Sequence, residues 1–244
     1  MTTAVILAGG LGTRLRSVVN DRPKPMAEVA GKPFLEHLMR YWHGQGIERF
    51  VLSVGYRAEQ IEGYFGPTFE SCKVEYVHEQ VPLGTGGALL LCQESKGLKE
   101  PFLLLNGDTY FQVSLQGLQE MAEWSHADWV LSLFPTNDSR RYMPIKVEGS
   151  GRISFESSVD PNRQGQAAWA NGGVYWVNPN ALAMLSGNIS NVSLESGIFP
   201  KCFGLGQAFF GLRCDALFID IGVPEDYTRS QIMPCFTSSA PPNH

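Results

Sequence analysis

A glycine-rich loop near the N-terminus carries residue types that could hold a phosphate group. Residues 8–15 have the sequence AGGLGTRL. Gly9, Gly10 and Gly12 let backbone N–H groups approach a ligand closely, and Arg14 can direct two donors at phosphate oxygens. The spacing fits neither GxGxxG nor GxxxxGK[ST], which excludes the dinucleotide-binding and Walker motifs. For three glycines alone, a tight strand-to-helix turn is an equally good interpretation.

A lysine follows this loop in a stretch of chain with little backbone freedom. Lys24 lies between Pro23 and Pro25, and each proline ring fixes its own φ angle. A rigidly placed cation downstream of a glycine loop favours phosphate recognition. An exposed lysine is the alternative for Lys24 taken alone.

Two aspartates lie beside apolar runs. Asp108 ends the segment LLLNGD, and Asp220 interrupts the run FIDIG. A strand that ends in Asn-Gly-Asp exposes one carboxylate at the ligand edge of a sheet, and an aspartate inside an apolar run is not expected to be buried unpaired. A turn residue at Asp108 and a helix cap at Asp220 are the alternatives.

The elements that must position these residues follow from the alternation of short apolar runs with amphipathic stretches. Strands are predicted at Ala4–Ala8, Phe50–Val54, Val74–His78 and Phe102–Leu105, and helices at Phe34–Trp42, Arg57–Phe65 and Thr85–Gln93. This order predicts an α/β fold class, a Rossmann-like, mainly parallel sheet with helices on both faces. Ligands bind such sheets beyond the carboxyl ends of the strands, where the loops after Ala8, His78 and Leu105 lie.

The second half of the chain has a different pattern. The segments Ile145–Val147, Ile153–Glu156 and Gly173–Val177 are short and broken by Gly, Pro and Asn, which predicts a smaller antiparallel extension. Because no Pro/Ser-rich linker separates the halves, a single domain is predicted over residues 1–236. Residues 237–244 are predicted to form a disordered tail.

Composition limits the possible ligands and partners. The 244 residues carry a net charge of −5, and only 18% of them are charged, against about 25% in typical domains. No basic field is available for nucleic acid or an anionic membrane surface, so neither is expected as a partner. An anionic ligand must therefore be held by local features, such as loop amides and a few placed cations.

The cysteines and the N-terminus indicate a reducing compartment. The five cysteines are odd in number, widely spaced and without a CxxC, which argues against a disulfide framework or a Cys-based zinc site. No signal peptide or spanning segment is evident, and a cytoplasmic location is expected. The sequence also shows no Ser-His-Asp or Cys-His arrangement that could supply a covalent nucleophile.

A resemblance adds to these inferences. The segment LAGGLGTRLRSVVNDRPKPMAEVAGKPFLEHLM is similar to the N-terminal signature of sugar-phosphate nucleotidyltransferases, most of all those that transfer guanylyl groups to heptose 1-phosphates. The similarity extends from about residue 4 to about residue 227. It implies transfer of a nucleoside monophosphate from GTP to a heptose 1-phosphate, with release of pyrophosphate, for surface polysaccharide synthesis. It also implies Mg²⁺ as cofactor and a homodimer. Because 244 residues are about what the catalytic domain alone needs, the left-handed β-helix of larger relatives is not expected.

The resemblance also assigns roles to residues. Residues 1–110 are expected to form the nucleotide-binding half, and residues 111–236 the sugar-binding half. Catalytic roles are implied for Arg14, Lys24 and Asp108, and a magnesium site for Asp108 and Asp220. The residues implied in nucleotide binding are Leu7, Ala8, Gly9, Gly10, Gly12, Thr13, Arg14, Glu79, Gly84, Thr85, Asn106 and Gly107. The residues implied in sugar binding are Glu156, Asn171, Gly172 and Glu195.

Glu79 occupies the position that contacts the nucleobase in enzymes of this kind. A carboxylate only accepts hydrogen bonds, and guanine presents two adjacent donors, N1–H and N2–H₂. Uracil and thymine present one donor between two carbonyls, which suits glutamine better. Glu79 therefore favours guanine, because a mismatched base would leave a buried polar group unpaired. A solvated glutamate at a strand end is the alternative.

Two positions depart from the pattern of the relatives. Ser157 and Ser196 stand where lysines are common, so another cation, for which Lys146, Arg163 and Lys201 are candidates, must neutralise the sugar phosphate, or sugar binding is altered. Three alternatives stay open. They are a nucleotidyltransferase for another base or a hexose 1-phosphate, a glycosyltransferase, which the missing DxD motif disfavours, and a non-catalytic sugar-nucleotide sensor.

Overall fold

The computed structural model describes residues 1–10, 12–15, 18–19, 21–138, 141–142, 144–154, 168–185 and 191–237. The strands within these ranges are β1 (Thr3–Leu7), β2 (Glu28–Val29), β3 (Lys32–Pro33), β4 (Arg49–Val54), β5 (Thr68–Phe69), β6 (Cys72–His78), β7 (Phe102–Asn106), β8 (Thr109–Phe111), β9 (Trp129–Thr136), β10 (Pro144–Val147), β11 (Ile153–Ser154), β12 (Ala168–Val177), β13 (Phe209–Arg213) and β14 (Phe218–Asp220).

The helices are α1 (Phe34–Gly44), α2 (Ala58–Phe65), α3 (Gly84–Lys96), α4 (Leu115–Ser125), α5 (Asn180–Ala183), α6 (Phe199–Gly204), α7 (Pro224–Ser230) and α8 (Pro234–Thr237). The predicted helix over Arg57–Phe65 begins one residue later, because Arg57 adopts a left-handed conformation with φ of 53°. None of the helices in the described ranges combines the length and the apolar character that a bilayer crossing requires.

Ten of the described strands form one mixed sheet, whose parallel part has the order β7–β1–β4–β6. Leu7 at the end of β1 pairs with Ser53 on one side and with Asn106 on the other. The carboxyl ends of these strands are therefore level, and the loops that follow them meet at one edge. This confirms the α/β fold class and the predicted position of the loops.

Both faces of the parallel strands carry apolar side chains, because each face is buried in a hydrophobic cluster. Along β1, Ala4 and Ile6 pack into one buried cluster with α1, whereas Val5 packs into the opposite cluster with residues of α3. Side chains of a strand alternate between faces, so a sheet covered by helices on both sides needs apolar residues at every position. Helices on both faces are thus confirmed.

The second half extends this sheet around β12, a strand of ten residues. It runs antiparallel to β7, β9 and β10, as predicted, but β13 is parallel to β9 and departs from that prediction. The register of β12 against β9 shifts between Asn171 and Tyr175, and Gly173 there has a φ of 70°. A bulge therefore interrupts β12 where it passes the end of β7.

The last helix corrects one predicted boundary. Thr237 is the final residue of α8, whereas residues 238–244 of the predicted tail lie outside the described residues. This helix is held in place because Phe236 packs in the core, with its ring centroid 4.9 Å from that of Tyr110 and 5.9 Å from that of Phe34.

Substitution of Gly107 tests how closely the turn after β7 packs against the end of β1. A Cβ atom at this position would lie 2.7 Å from the carbonyl oxygen of Leu7, and backbone cannot move aside easily. We expect Gly107→Ala to lower the free energy of unfolding by about 1–3 kcal/mol in urea denaturation. Gly149→Ala is the control, because its Cβ would have no neighbour within 4 Å. Equal stability of the two variants would contradict the tight packing at this turn.

Candidate active site

Lys24 is held by the two prolines around it. Pro23 is extended, with φ of −65° and ψ of 148°, and Lys24 opens a short 3₁₀ turn in which Pro25 and Met26 are buried. The Lys24 side chain is only 10% exposed. Its Nζ donates a hydrogen bond to Asp108 Oδ2 and lies 3.8 Å from Asp220 Oδ1. The alternative of an exposed lysine is therefore wrong.

Asp108 and Asp220 meet because β8 and β14 pair as a separate antiparallel ribbon. Asp220 lies opposite Thr109 in this ribbon, and the Ile221 N–H donates to the carbonyl of Asp108 at 3.0 Å. The Gly222 N–H donates to Asp220 Oδ1 at 2.6 Å, which orients that carboxylate. Two carboxylates that are more than a hundred residues apart in the sequence thus lie next to the ammonium group of Lys24.

The two carboxyls titrate in opposite directions. Burial disfavours ionisation of Asp108, but the charge and the hydrogen bond of Lys24 outweigh it, so the pKa of this carboxyl lies below its usual value. The pKa of Asp220 is raised by burial and by the negative charge of Asp108, which outweigh the attraction of Lys24. Burial and mutual repulsion therefore oppose ionisation of Asp220, while Lys24 favours ionisation of Asp108.

A cavity of about 180 Å³ lies in front of Lys24. Its walls consist mostly of the first glycine loop and the three charges of Arg14, Lys24 and Asp108. The lining residues are Leu7, Ala8, Gly10, Gly12, Thr13, Arg14, Lys24, Pro25, Asp108 and Gly222. The structure thus brings six of the twelve predicted nucleotide-binding residues together around Lys24 and Asp108.

The glycines of this loop differ in what surrounds them. Gly12 has a φ of 58°, and a Cβ there would lie 3.0 Å from the Lys24 side chain. Gly9 packs directly against the Glu79 carboxylate. A Cβ at Gly10 would meet no atom within 4 Å. The positive φ therefore favours glycine at position 12, and a side chain at position 9 would displace the Glu79 carboxylate. At position 10 the fold leaves open space in front of the backbone.

A second cavity of about 720 Å³ adjoins the first and shares Arg14 with it. Such volumes are typical of small-molecule sites. Predicted sugar-side residues line it, namely Asn171, Gly172 and Glu195, together with Asn106 and Asp220. Glu156, the fourth predicted sugar-binding residue, lies outside the described residues, as do Ser157 and Arg163.

A hydrogen-bonded chain fixes the polar groups of this second cavity. Ser193 Oγ donates to Glu195 Oε2 at 2.8 Å, and the Tyr175 hydroxyl lies 3.4 Å from Glu195 Oε1. Asn171 Nδ2 donates to the Tyr175 hydroxyl at 2.7 Å. Among the described residues, no donor reaches the buried Oδ1 of Asn106. The cavity therefore offers a carboxylate whose orientation is fixed by hydrogen bonds, and Asn106 in its wall keeps a buried acceptor without a partner among the described residues.

Arg141 is a residue of this site that sequence reasoning missed. Its guanidinium lies 3.4 Å from Asp220 Oδ2 and forms an ion pair with Asp226, and it lines the larger cavity. The described walls include neither Lys146 nor Lys201, which were the candidate cations from the sequence. The only local signal was the basic pair at positions 140–141, which gives no direction for either side chain.

Glu79, Gly84 and Thr85 lie outside the walls of both cavities, among the residues described. Glu79 is half-buried and accepts hydrogen bonds from Ser53 Oγ at 2.9 Å and from the Leu83 N–H at 3.3 Å. Gly84 and Thr85 contact Val192 and Leu194 of the same chain. The role of these three residues towards a nucleotide stays a prediction.

One arrangement contradicts the expectation from sequence. Cys72 Sγ lies 3.1 Å from His43 Nδ1, and His43 Nε2 lies 3.3 Å from Glu70, so a Cys-His pair does exist. Burial raises the pKa of the Cys72 thiol, which opposes formation of a nucleophilic thiolate. Cys72 also opens β6, at the sheet edge opposite to the site. This pair is not placed to act on a ligand there.

Comparison with known proteins agrees with this geometry. The family model described as "Nucleotidyl transferase" matches residues 3–231. A D-glycero-alpha-D-manno-heptose 1-phosphate guanylyltransferase of Aneurinibacillus thermoaerophilus is 40% identical over 228 residues, which cover 93% of this chain and 96% of that protein. A protein of the same name from Campylobacter jejuni is 39% identical, over 92% of this chain and 96% of its own.

Solved structures give the same result. HddC from Yersinia pseudotuberculosis, in a complex with GMP-PN, superposes with a TM-score of 0.78 at 34% identity, over 95% of this chain and 98% of the other. A structure described as a putative glucose-1-phosphate thymidylyltransferase from Bacillus anthracis has a TM-score of 0.82 at 16% identity, over 100% of this chain and 98% of the other. The latter likeness concerns the fold alone.

Gly10 provides a test of ligand approach. We expect Gly10→Ala to fold normally, because its Cβ has open space, and to weaken GTP binding about tenfold or more, since the methyl group would stand between the loop and a phosphate. Calorimetric titration with GTP measures the effect. The matched control is Gly63→Ala, in the exposed middle of α2, with equally open space. Unchanged GTP affinity in Gly10→Ala would contradict a role of this loop in GTP binding.

Proposed function

Because the chain belongs to the nucleotidyl transferase family, we propose that it transfers GMP from GTP to a heptose 1-phosphate and releases pyrophosphate. The observation that carries the proposal is Lys24, clamped by Asp108 and Asp220 beside the two adjoining cavities. Two phosphorylated substrates, one in each cavity, would meet with their phosphates at this cation. The relatives named as heptose 1-phosphate guanylyltransferases support the choice of substrates.

The reaction requires positioning more than proton transfer. A phosphate oxygen of the sugar 1-phosphate attacks the α-phosphorus of GTP in line, and pyrophosphate leaves. This nucleophile is ionised at neutral pH, so neither a general base nor a covalent intermediate is needed. Loop amides around Gly10 and the guanidinium of Arg14 hold the triphosphate, and Lys24 stabilises the charge on the reacting phosphates.

The donor set fits a divalent cation. Asp108 and Asp220 present hard oxygen ligands beside the same lysine, and burial together with the negative charge of Asp108 raises the pKa of Asp220, which a bound cation would counteract. Within the described residues, no group of three or more His, Cys, Asp and Glu side chains could hold a metal. Asp108 and Asp220 would therefore hold Mg²⁺ together with substrate oxygens. When bound, the ion neutralises phosphate charge.

The proposed base is guanine. The Glu79 carboxylate lies between the first glycine loop and the loop that follows β6, and its two oxygens retain lone pairs for the two donors of guanine. A panel of the four nucleoside triphosphates against a heptose 1-phosphate, mannose 1-phosphate and glucose 1-phosphate tests the whole proposal. Pyrophosphate release is expected with GTP and the heptose 1-phosphate. Binding of GTP without release under every combination would support a sensor instead.

The place of the reaction follows from its product. A nucleoside diphosphate sugar is an activated donor, so a glycosyl transfer must consume it, and we propose surface polysaccharide synthesis as that use. All five cysteines are free, which supports a reducing, cytoplasmic compartment.

Lys24 and Asp108 are the most direct targets for mutation. Lys24→Ala and Asp108→Ala are each expected to lower kcat by about 10²–10³, because each removes charge at the reacting phosphates. The measurement is pyrophosphate release, with circular dichroism to verify folding. Lys73→Ala is the control, since Lys73 is an exposed lysine on β6 that pairs with Glu75 and lines neither cavity. Near-normal turnover in both variants would contradict the catalytic roles of Lys24 and Asp108.

The metal is tested by its removal. EDTA is expected to stop pyrophosphate release, and added Mg²⁺ to restore it. Asp220→Asn is expected to raise the Mg²⁺ concentration for half-maximal turnover about tenfold or more, because it removes one charged ligand. Turnover that persists in EDTA would rule out the metal site.

A further inference from the structure

The second glycine-rich loop, Gly84–Gly87, is docked on another part of the same chain. We call that part the docking segment and define it as Val192–Ser196. The Val192 N–H donates to the Leu83 carbonyl at 2.8 Å, and the Val192 carbonyl accepts from the N–H groups of Gly86 at 2.7 Å and Gly87 at 3.2 Å. Amides in the first turn of a helix are commonly free for an anion, but here a protein carbonyl occupies them.

The glycines of this loop are needed for the docking itself. Gly84 has a φ of 71°, and a Cβ there would lie 2.6 Å from the Val192 carbonyl oxygen. A Cβ at Gly86 would lie 3.0 Å from the same oxygen and 2.5 Å from Ile198. Any other residue at either position would push the docking segment away. The loop therefore binds backbone of its own chain, in contrast to the open Gly10.

Thr85 makes the side-chain contact in this docking. Its Oγ1 accepts a hydrogen bond from the Leu194 N–H at 2.8 Å, and the Leu194 side chain is fully buried. An N–H group that lost this acceptor would be left without a partner at the edge of the core, which is costly. Thr85 thus fixes the backbone immediately before Glu195.

From Leu194 the contacts continue to the cavity. Ser193 Oγ accepts from the N–H groups of Glu195 at 3.1 Å and Ser196 at 3.2 Å and donates to Glu195 Oε2 at 2.8 Å. The Glu195 carboxylate lines the cavity of about 720 Å³. The docking segment therefore orients a carboxylate that the sugar would meet.

At its other end the same set of contacts reaches Glu79. The Leu83 N–H donates to Glu79 Oε2 at 3.3 Å, and the Leu83 carbonyl holds Val192. Glu79, the proposed base reader, and Glu195, the sugar-side carboxylate, are thus linked by hydrogen bonds and peptide bonds through Leu83, Val192 and Ser193. Thr85 holds the backbone of this link at Leu194.

We propose that Thr85 is a positioning residue that couples the two substrate sites. A guanosine nucleotide that binds Glu79 restricts the motion of Leu83 and of the loop after it. The hydrogen bond from the Leu194 N–H to Thr85 then restricts the backbone next to Glu195 as well. The two ligands then bind with positive and reciprocal coupling. This inference rests on the proposed function, because it takes GTP and a sugar 1-phosphate as the two ligands.

Calorimetry with unreactive ligands measures the coupling directly. The probes are the α,β-methylene analogue of GTP, which cannot release pyrophosphate, and a heptose 1-phosphate, both with Mg²⁺. In the wild-type protein, saturation with the analogue is expected to tighten heptose 1-phosphate binding about fivefold or more. In Thr85→Val this factor is expected to fall towards one.

Three further variants separate positioning from general damage. Thr85→Ser keeps the acceptor and is expected to retain the coupling, as is the control Thr68→Val on the exposed edge strand β5. In a Glu195→Gln background, Thr85→Val is expected to have no additional effect, because it acts through Glu195. If Thr85→Val does not fold, Thr85→Ala removes the same acceptor from the Leu194 N–H group and carries the test.

The results distinguish this inference from the proposed function. Wild-type protein that binds neither probe would overturn both. Wild-type protein that binds both probes with a coupling factor near one, or Thr85→Val that keeps the wild-type factor, would overturn the role of Thr85 alone and leave the proposed function standing.

Discussion

The ion pairs of Lys24 with Asp108 and Asp220 are the interaction on which the site depends. Three charged groups in a largely buried place are stable only if each keeps its partner. Removing one partner of a buried ion pair typically lowers the free energy of unfolding by about 3–5 kcal/mol, because the remaining charge is left uncompensated. The two prolines fix Lys24, and the ribbon of β8 and β14 fixes the carboxylates. The level ends of β1, β4 and β7 bring both to the same edge of the sheet. The fold thus positions a small group of charges at the junction of two cavities.

Sequence predicted the frame of this arrangement because its signals are local. The apolar runs around Val5 and Leu104 have the length of buried parallel strands, and Lys24 is flanked by a proline on each side. The meeting of Asp220 with Asp108 could not be derived in the same way, since it depends on the pairing of β14 with β8 across more than a hundred residues. Arg141 was missed for a similar reason, because its partners Asp220 and Asp226 lie some eighty residues further along the chain.

The two glycine loops show a further limit of sequence interpretation. Both are short, glycine-rich and follow parallel strands, and both resemble ligand-binding loops. A glycine signals only that something approaches the backbone closely, and the sequence does not say what. Around Gly10 the structure leaves the space open, whereas around Gly84 and Gly86 the backbone of Val192 fills it. The first loop is therefore free to receive a ligand, and the second is already occupied by the chain that carries Glu195.

Charge balance then decides what the site needs when substrates arrive. In the described parts of the two cavity walls, Arg14, Lys24 and Arg141 face Asp108, Asp220 and Glu195, so the walls are neutral as a whole. Arg141 is further compensated by Asp226 outside them. GTP and a sugar 1-phosphate together bring several negative charges into this neutral space. Because the chain is poor in basic residues, with 19 lysines and arginines, we expect loop amides and, under the proposed function, a divalent cation to supply the balance. The same carboxylates that clamp Lys24 would then hold that cation, so one pair of aspartates would both fix the lysine and supply the missing positive charge.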